Sequence, residues 1–166
     1  MLARILKHVL SNPRAVARAF PRASLDRIQQ AIAQVEATTS GEIRFAVEAA
    51  LPWSYLKRNA APRERAWMVF SKLRVWDTEH NNGVLIYIEL ADHGVEIVAD
   101  RGVARRVPKA RWQDIANTMR AAFRRGEFEQ GSIAAIDAVG ALLSAEFPLE
   151  EGASNPNELS NRPAVL

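Results

Sequence analysis

The sequence contains no cysteine, and this absence removes several classes of chemistry at once. Disulfides, thiolate nucleophiles and cysteine-ligated zinc or iron–sulfur centres are excluded. No apolar run approaches the roughly 20 residues that a membrane-spanning helix needs. Glycine-rich phosphate loops and nucleophile elbows are absent as well. A chain of 166 residues with 48% hydrophobic and 25% charged residues is typical of one globular domain with a real core.

Acidic residues are missing from two segments of the chain. Residues 1–25 contain lysine and arginine but no acid, and residues 101–111 repeat that bias. A basic surface attracts nucleic acid, anionic lipid or an acidic partner. The simpler alternative is a solvated surface with a modest positive field. Composition alone leaves these alternatives open.

Residues 1–22 are predicted to form a basic amphipathic helical segment. Apolar side chains recur on one helical face at Leu2, Ile5, Leu6, Val9 and Leu10. Such a helix contacts a membrane surface or a membrane-associated partner, or it docks on its own domain. Charges interrupt the apolar run, so it is not a secretory signal peptide. We therefore expect a cytoplasmic protein, with peripheral membrane contact as an open option.

The centre of the chain predicts a β-hairpin. Residues 84–88 and 95–99 are β-branched or apolar runs on either side of a turn at residues 91–94. The first run is apolar throughout, which is typical of a strand buried on both faces. Residues 41–50 alternate between apolar and polar, which predicts a further strand. A helix near residues 62–75 separates it from the hairpin, so the two strands should pair in parallel.

The predicted order of elements defines the fold class. Further helices are expected to begin at Ser24, Pro108 and Gly131. The result is an α/β fold, an α/β/α sandwich whose small mixed sheet has helices on both faces. This domain should span residues 23–148, and residues 149–166 should form a disordered acidic and polar tail. The helical stripes also place four aromatic residues in the core, namely Trp67, Phe70, Trp112 and Phe123.

The predicted topology brings polar residues to one end of the sheet. Glu42, Asp77, Asn82 and Asp100 would form an oxygen-rich pocket of the kind that Ca²⁺ or Mg²⁺ prefers. Arg101 or Arg105 would hold a phosphate beside it. The alternative is local, because turn residues commonly hydrogen-bond their own backbone and acids pair with arginine.

Direct signals for catalysis are few. The chain has no Asp-x-Asp-x-Thr motif and no Arg-His-Gly motif, so a covalent phosphoenzyme has no candidate nucleophile. Metal-assisted hydrolysis with a bound water remains open. A loop with Trp53 and Tyr55 before Lys57 and Arg58 would stack bases or anchor at a lipid interface, unless it folds over the sheet edge.

Several motifs resemble the TPM domain family, over roughly residues 24–148. The matching stretches are TSGEI at 39–43, WDT at 76–78, NGVLIY at 82–87, IVADRG at 97–102, FRRGEF at 123–128 and FP at 147–148. The resemblance implies the sandwich fold, a phosphatase label, calcium binding through acidic loops and association with membrane proteins. Many bacterial members carry a signal peptide and a membrane anchor, and this chain resembles the short variant without them.

These observations favour a binding or accessory module over an enzyme. Its process is undefined, and the resemblance adds a divalent ion and a membrane-associated partner. The alternative is a weak metal-dependent acid phosphatase. A third hypothesis is nucleic-acid binding through the basic segments, for which the aromatic surface is thin.

Overall fold

The computed structural model describes residues 2–11 and 14–166. Eight helices and four strands occur within these ranges. Their bounds are α1 Leu2–Val9, α2 Arg14–Ala19, α3 Arg22–Glu36, β1 Glu42–Glu48, α4 Trp53–Leu56, α5 Pro62–Lys72, β2 Gly83–Glu89, β3 Gly94–Ala99, α6 Arg101–Ala104, α7 Lys109–Arg124, α8 Phe128–Glu146 and β4 Ala164–Val165.

The sheet has the strand order β3-β2-β1-β4. β1 and β2 pair in parallel, with Ile43 opposite Val84. β2 and β3 form the antiparallel hairpin, with Ile86 opposite Ile97. Every residue of β2 is buried, as its unbroken apolar run predicts. The mixed sheet and the α/β class are therefore confirmed.

Two hydrophobic cores cover the two faces of the sheet. The larger core holds α3, α7 and α8 against one face, through residues such as Ile32, Met119 and Ile136. The smaller core holds α5 against the other face, where Phe70 packs near Tyr87. Fully burying one large apolar side chain is worth about 1.5–3 kcal/mol. The many buried side chains of the two layers therefore hold the strands in place, and with them the residues at the strand ends.

The C-terminal segment differs from the predicted disordered tail. Leu159 is buried in the smaller core, and β4 pairs in parallel with β1. The Asn155 amide donates to the carbonyl oxygens of Thr39 and Gly41 at 2.8 and 3.1 Å. The segment shows no hydrophobic periodicity in its sequence, because individual contacts of this kind hold it to the domain and not the apolar face of a helix.

Local differences concern a cap and an aromatic residue. Pro21, and not Ser24, caps α3, and the Ser24 hydroxyl donates to Glu129 Oε2 at 2.5 Å instead. Trp67 on α5 is 47% exposed, so its predicted place in the core is wrong. Within the described ranges, no helix is long and apolar enough to cross a membrane.

Candidate functional site

Three of the four residues of the predicted oxygen-rich site are buried at one end of the sheet. Glu42 begins β1, Asn82 precedes β2, and Asp100 follows β3, and all three are buried. Both Glu42 oxygens accept backbone N–H groups, from Glu158 at 3.0 Å and Leu159 at 3.1 Å. This carboxylate is therefore already used to hold the C-terminal segment, and burial raises its pKa.

Asn82 and Asp100 each keep one buried oxygen without a partner. The Asn82 amide donates to the Ser40 carbonyl at 2.7 Å, and its Oδ1 atom has no hydrogen bond in the described structure. Asp100 caps α6 by accepting from the Arg101 N–H at 2.7 Å, while its Oδ2 atom is unpartnered. Amide and carboxylate oxygens are ligand types that hard cations bind, and such a cation usually has six or more ligands.

The remaining predicted residues lie at the surface. Asp77 is exposed and paired with Arg74, so the structure does not place it with the buried oxygens. Arg101 is exposed and donates to Asn81 Oδ1 at 2.7 Å. Arg105 is exposed and has no side-chain partner among the described residues. The predicted anion site is thus an open surface and not a pocket.

Gly83 separates Glu42 from Asp100 in the sheet. Glu42 is its register partner on β1, and the Asp100 N–H donates to its carbonyl at 2.9 Å. A Cβ atom on Gly83 would lie 2.1 Å from the carbonyl oxygen of Val75. The backbone before β2 therefore fills the space above this glycine, which lies between Glu42 and Asp100.

A second polar cluster lies at the opposite end of the sheet. Glu48 and Glu89 are register partners at the carboxyl ends of β1 and β2, the position where open α/β sheets commonly hold ligands. Arg65 binds Glu48 through two hydrogen bonds of 2.8 and 2.9 Å, and the Tyr87 hydroxyl donates to the same carboxylate. Arg65 therefore offsets the charge of one of these two acids, Glu48.

Helix α1 docks on this cluster through its polar side chains. Arg4 donates from Nε to Asp92 Oδ2 at 2.6 Å, and its other nitrogens bind Asn59 Oδ1 and the Ala60 carbonyl at 2.9 and 2.8 Å. His8 is buried, with Nε2 3.0 Å from Asp92 Oδ2. These contacts join residues 55 to 88 positions apart in the sequence and fix the orientation of α1.

The carboxyl groups of this cluster respond in opposite directions. Burial raises the pKa of Glu89 to about 7, although its carboxylate accepts the N–H groups of Ala91 and Asp92. Burial also opposes ionisation of Asp92, but the hydrogen bond from Arg4 and the close contact with His8 outweigh it and lower the pKa of Asp92. Asp92 is thus the anion that receives α1.

His8, Glu89 and Asp92 have ligand atoms within 4.8 Å of one another, which invites a metal assignment. The hydrogen bonds argue against it. The Leu51 N–H donates to His8 Nδ1 at 3.0 Å, so the neutral imidazole carries its proton on Nε2. A metal on Nε2 would need that proton on Nδ1, facing the Leu51 donor. Arg4 also occupies the Asp92 oxygen, so the cluster fits a docking site for α1 and not a cation.

The docking leaves the apolar face of α1 in solvent. Leu2 is 83% exposed, Leu6 57%, Val9 66% and Leu10 70%, whereas Ile5 packs beside Leu51 and the residues of α4. This is the reverse of an ordinary surface helix, which buries its apolar stripe. We refer to Leu2, Leu6, Val9 and Leu10 as the α1 apolar face. On α4, Trp53 is also exposed, at 59%.

Sequence reasoning found the apolar residues of α1 but not the cluster that orients them. A signal was present, because Glu48 ends the alternating strand β1 and Glu89 ends the apolar strand β2. A charged residue at that position needs a partner within the fold. Glu48 finds Arg65 on α5, and Asp92, just after Glu89, finds Arg4 on α1. These partners are distant in sequence, so no local pattern connects them.

Comparisons with known proteins agree with this architecture. The NMR structure of BA42 protein from the psychrophilic bacterium Bizionia argentinensis is 30% identical, with a TM-score of 0.75, and the match covers 87% of this chain and 93% of that one. No curated protein matches the sequence. A model of the TPM domain matches residues 15–142, more than half of the chain. The chain therefore belongs to the TPM domain family.

Proposed function

We propose that this TPM domain is an accessory module that binds anionic membrane surfaces through the α1 apolar face. The observation that carries the proposal is the inverted docking of α1. Its polar residues Arg4 and His8 contact Asp92 of the domain, while its leucines and valine are exposed to solvent. An apolar stripe held rigidly outward is costly for a protein that never covers it.

The surrounding charges favour a membrane over a neutral protein surface. Lys7 lies on α1, and Arg18 and Arg22 follow on the next helices, all three exposed. Residues 2–11 and 14–25 contain no acidic side chain. Leucine beside lysine and arginine, with an exposed tryptophan on a neighbouring helix, is the composition of helices that lie in the lipid interface.

The expected affinity follows from burial and charge. Complete burial of one leucine or valine is worth about 1.5–3 kcal/mol, and each basic residue near an anionic surface adds about 1 kcal/mol. Because α1 is already ordered on the domain, binding does not have to order the helix. We therefore expect reversible binding that requires both the apolar side chains and the basic residues.

The test is co-sedimentation with vesicles of phosphatidylcholine alone and of phosphatidylcholine mixed with phosphatidylglycerol. The full chain should sediment with the anionic vesicles and stay in solution with the neutral ones. Double substitution Leu6→Ser with Val9→Ser should weaken binding by about 3 kcal/mol, roughly a hundredfold. Met68→Ser is the matched control, since Met68 is 50% exposed on α5.

Binding that survives the double substitution, or that is equal on neutral vesicles, would overturn the proposal. Equal loss in Met68→Ser would also contradict it, because the effect would then not belong to α1. The two serine residues replace exposed side chains, so the fold should remain intact.

A second candidate is a divalent-cation site, with phosphatase activity as its consequence. Its support is the pair of unpartnered buried oxygens, Asn82 Oδ1 and Asp100 Oδ2. A cation bound at either oxygen would give that atom a partner and would supply Lewis-acid activation of water. Arg101 and Arg105 lie at the surface beyond Asp100 and would attract a phosphate ester.

Thermal unfolding with Ca²⁺, Mg²⁺ or EDTA tests this second candidate. An ion at a hundredfold its dissociation constant should stabilise the fold by about 2.7 kcal/mol, a shift of a few degrees. Asp100→Asn should abolish the shift, and Asp77→Asn should leave it, because Asp77 is paired with Arg74 at the surface. No shift with either ion would exclude the site and the metal-dependent hydrolysis.

A further inference from the structure

The free edge of the sheet lies in a groove of about 750 Å³ that the membrane proposal does not use. The floor is the outer edge of β3, which has no neighbouring strand in the described structure. One wall is α5, with Arg63 and Trp67, and the other is α7, with Trp112 and Arg120. The two walls lie on opposite faces of the sheet, so the groove follows the strand edge.

The register of the hairpin shows which backbone groups face this groove. The Asp100 N–H bonds the Gly83 carbonyl, so hydrogen-bonded and non-hydrogen-bonded pairs alternate from that point. Val95 and Ile97 then fall on the non-bonded pairs, and their N–H and C=O groups point away from β2. Their N–H groups have no acceptor among the described residues.

Flexible side chains cover the outward carbonyls of Val95 and Ile97 in the part of the chain that the structure describes. Arg63 donates to the Ile97 carbonyl, and Arg120 donates to the Val95 carbonyl. Glu96 lies between the two guanidinium groups, 3.3 Å from Arg63 and 3.7 Å from Arg120. A strand edge is thus shielded by residues that can move without unfolding a helix.

We infer that this edge accepts an extended acidic peptide, which adds to β3 as a new antiparallel or parallel strand. The N–H groups of the peptide would replace the arginines on the carbonyls of Val95 and Ile97. The peptide's carbonyls would take the free N–H groups of the same two residues. Arg63 and Arg120, once released, would pair with carboxylates of the peptide, so no hydrogen bond is lost in the exchange.

Charge at the end of the groove supports the acidic choice. Where β3 ends, the chain enters residues 101–111, which carry five lysine and arginine residues and no acid. Lys109 from this segment lines the groove itself. The opposite edge of the sheet already shows such an addition, because β4 pairs with β1 through residues 164–165 of the same chain.

The probe is a synthetic peptide of about ten alternating glutamate and valine residues, long enough to span the edge. It is titrated into the full chain and followed by amide NMR shifts and fluorescence anisotropy. The amides of Val95 and Ile97 should shift in a saturable way. The same peptide with two neighbouring central nitrogens methylated should bind at least about tenfold more weakly, because neither edge can pair.

A matched pair of variants locates the site on the protein. Asn117→Trp on α7 fills the groove and should weaken binding at least about tenfold, whereas Thr118→Trp, exposed beside it but outside the groove, should not. Unmoved Val95 and Ile97 amides, equal binding of the methylated peptide, or unchanged affinity in Asn117→Trp would each overturn the inference. Equal binding of an alternating lysine and valine peptide would overturn the acidic specificity.

Discussion

Glu36 should make the stability of this protein fall as the pH rises from 5.5 to 7. Its side chain is buried at the end of α3, where Oε1 accepts the Ile43 N–H at 2.9 Å. Burial raises the pKa of Glu36 to about 8 from an ordinary value of 4.5. Between these values the folded protein holds a proton that the unfolded chain has released, so higher pH favours unfolding.

The magnitude follows from one proton per molecule. The free energy of unfolding should fall by about 1.4 kcal/mol per pH unit because of Glu36, or roughly 2 kcal/mol between pH 5.5 and 7. Glu36→Gln removes the titration and keeps an acceptor for Ile43. The new amide also faces the tail near Asn161, whose buried Oδ1 lacks a donor. The free energy of unfolding of the variant should therefore increase relative to that of the wild type as the pH rises.

Urea unfolding followed by tryptophan fluorescence at several pH values measures this difference. Glu89 titrates in an overlapping range but is common to both proteins, so the difference isolates Glu36. Glu150→Gln is the control, since Glu150 is exposed. Parallel stability curves for the wild type and Glu36→Gln would refute the reasoning, because they would show that Glu36 keeps an ordinary pKa in the fold.

Three further changes test other parts of the structure. Gly83→Ala should cost about 3 kcal/mol or more in urea unfolding, because its Cβ would meet the Val75 carbonyl at 2.1 Å, and a neutral effect would contradict that packing. Leu159→Ala should lower the free energy of unfolding by about 2–3 kcal/mol in the same assay, and an unchanged value would contradict the packing of the C-terminal segment on the domain. Asp92→Asn should speed amide exchange throughout residues 2–9 by releasing Arg4, while the central strands stay protected, and unchanged exchange would show that α1 is held otherwise.

The sheet was predictable from the sequence because its signals are local. The unbroken apolar run of β2, the turn before Gly94 and the alternation of β1 each need only a few neighbouring residues. The helix between β1 and β2 then implied their parallel pairing. The strand bounds differ from the prediction by one or two residues, because backbone hydrogen bonding between strands, and not the hydrophobic pattern, determines where a strand ends.

The contacts that orient α1 and hold the C-terminal segment are not local, and the sequence did not reveal them. Arg4 and Asp92 are 88 residues apart, and Glu42 meets Leu159 across 117 residues. The amphipathic pattern of residues 2–10 correctly identified a helix with one apolar face. The pattern left open whether that face docks on the domain. In the structure Asp92 binds Arg4 and contacts His8 on the polar side of the helix, and the leucines face solvent.

The most direct test of membrane binding through α1 is the depth of Leu6 in the bound state. Because the chain has no cysteine, Leu6→Cys and Thr118→Cys each carry a single nitroxide label. On anionic vesicles, the label at Leu6 should become protected from a water-soluble nickel complex and more accessible to oxygen, while the label at Thr118 stays in water. A label at Leu6 that remains in water while the protein is bound would contradict the account.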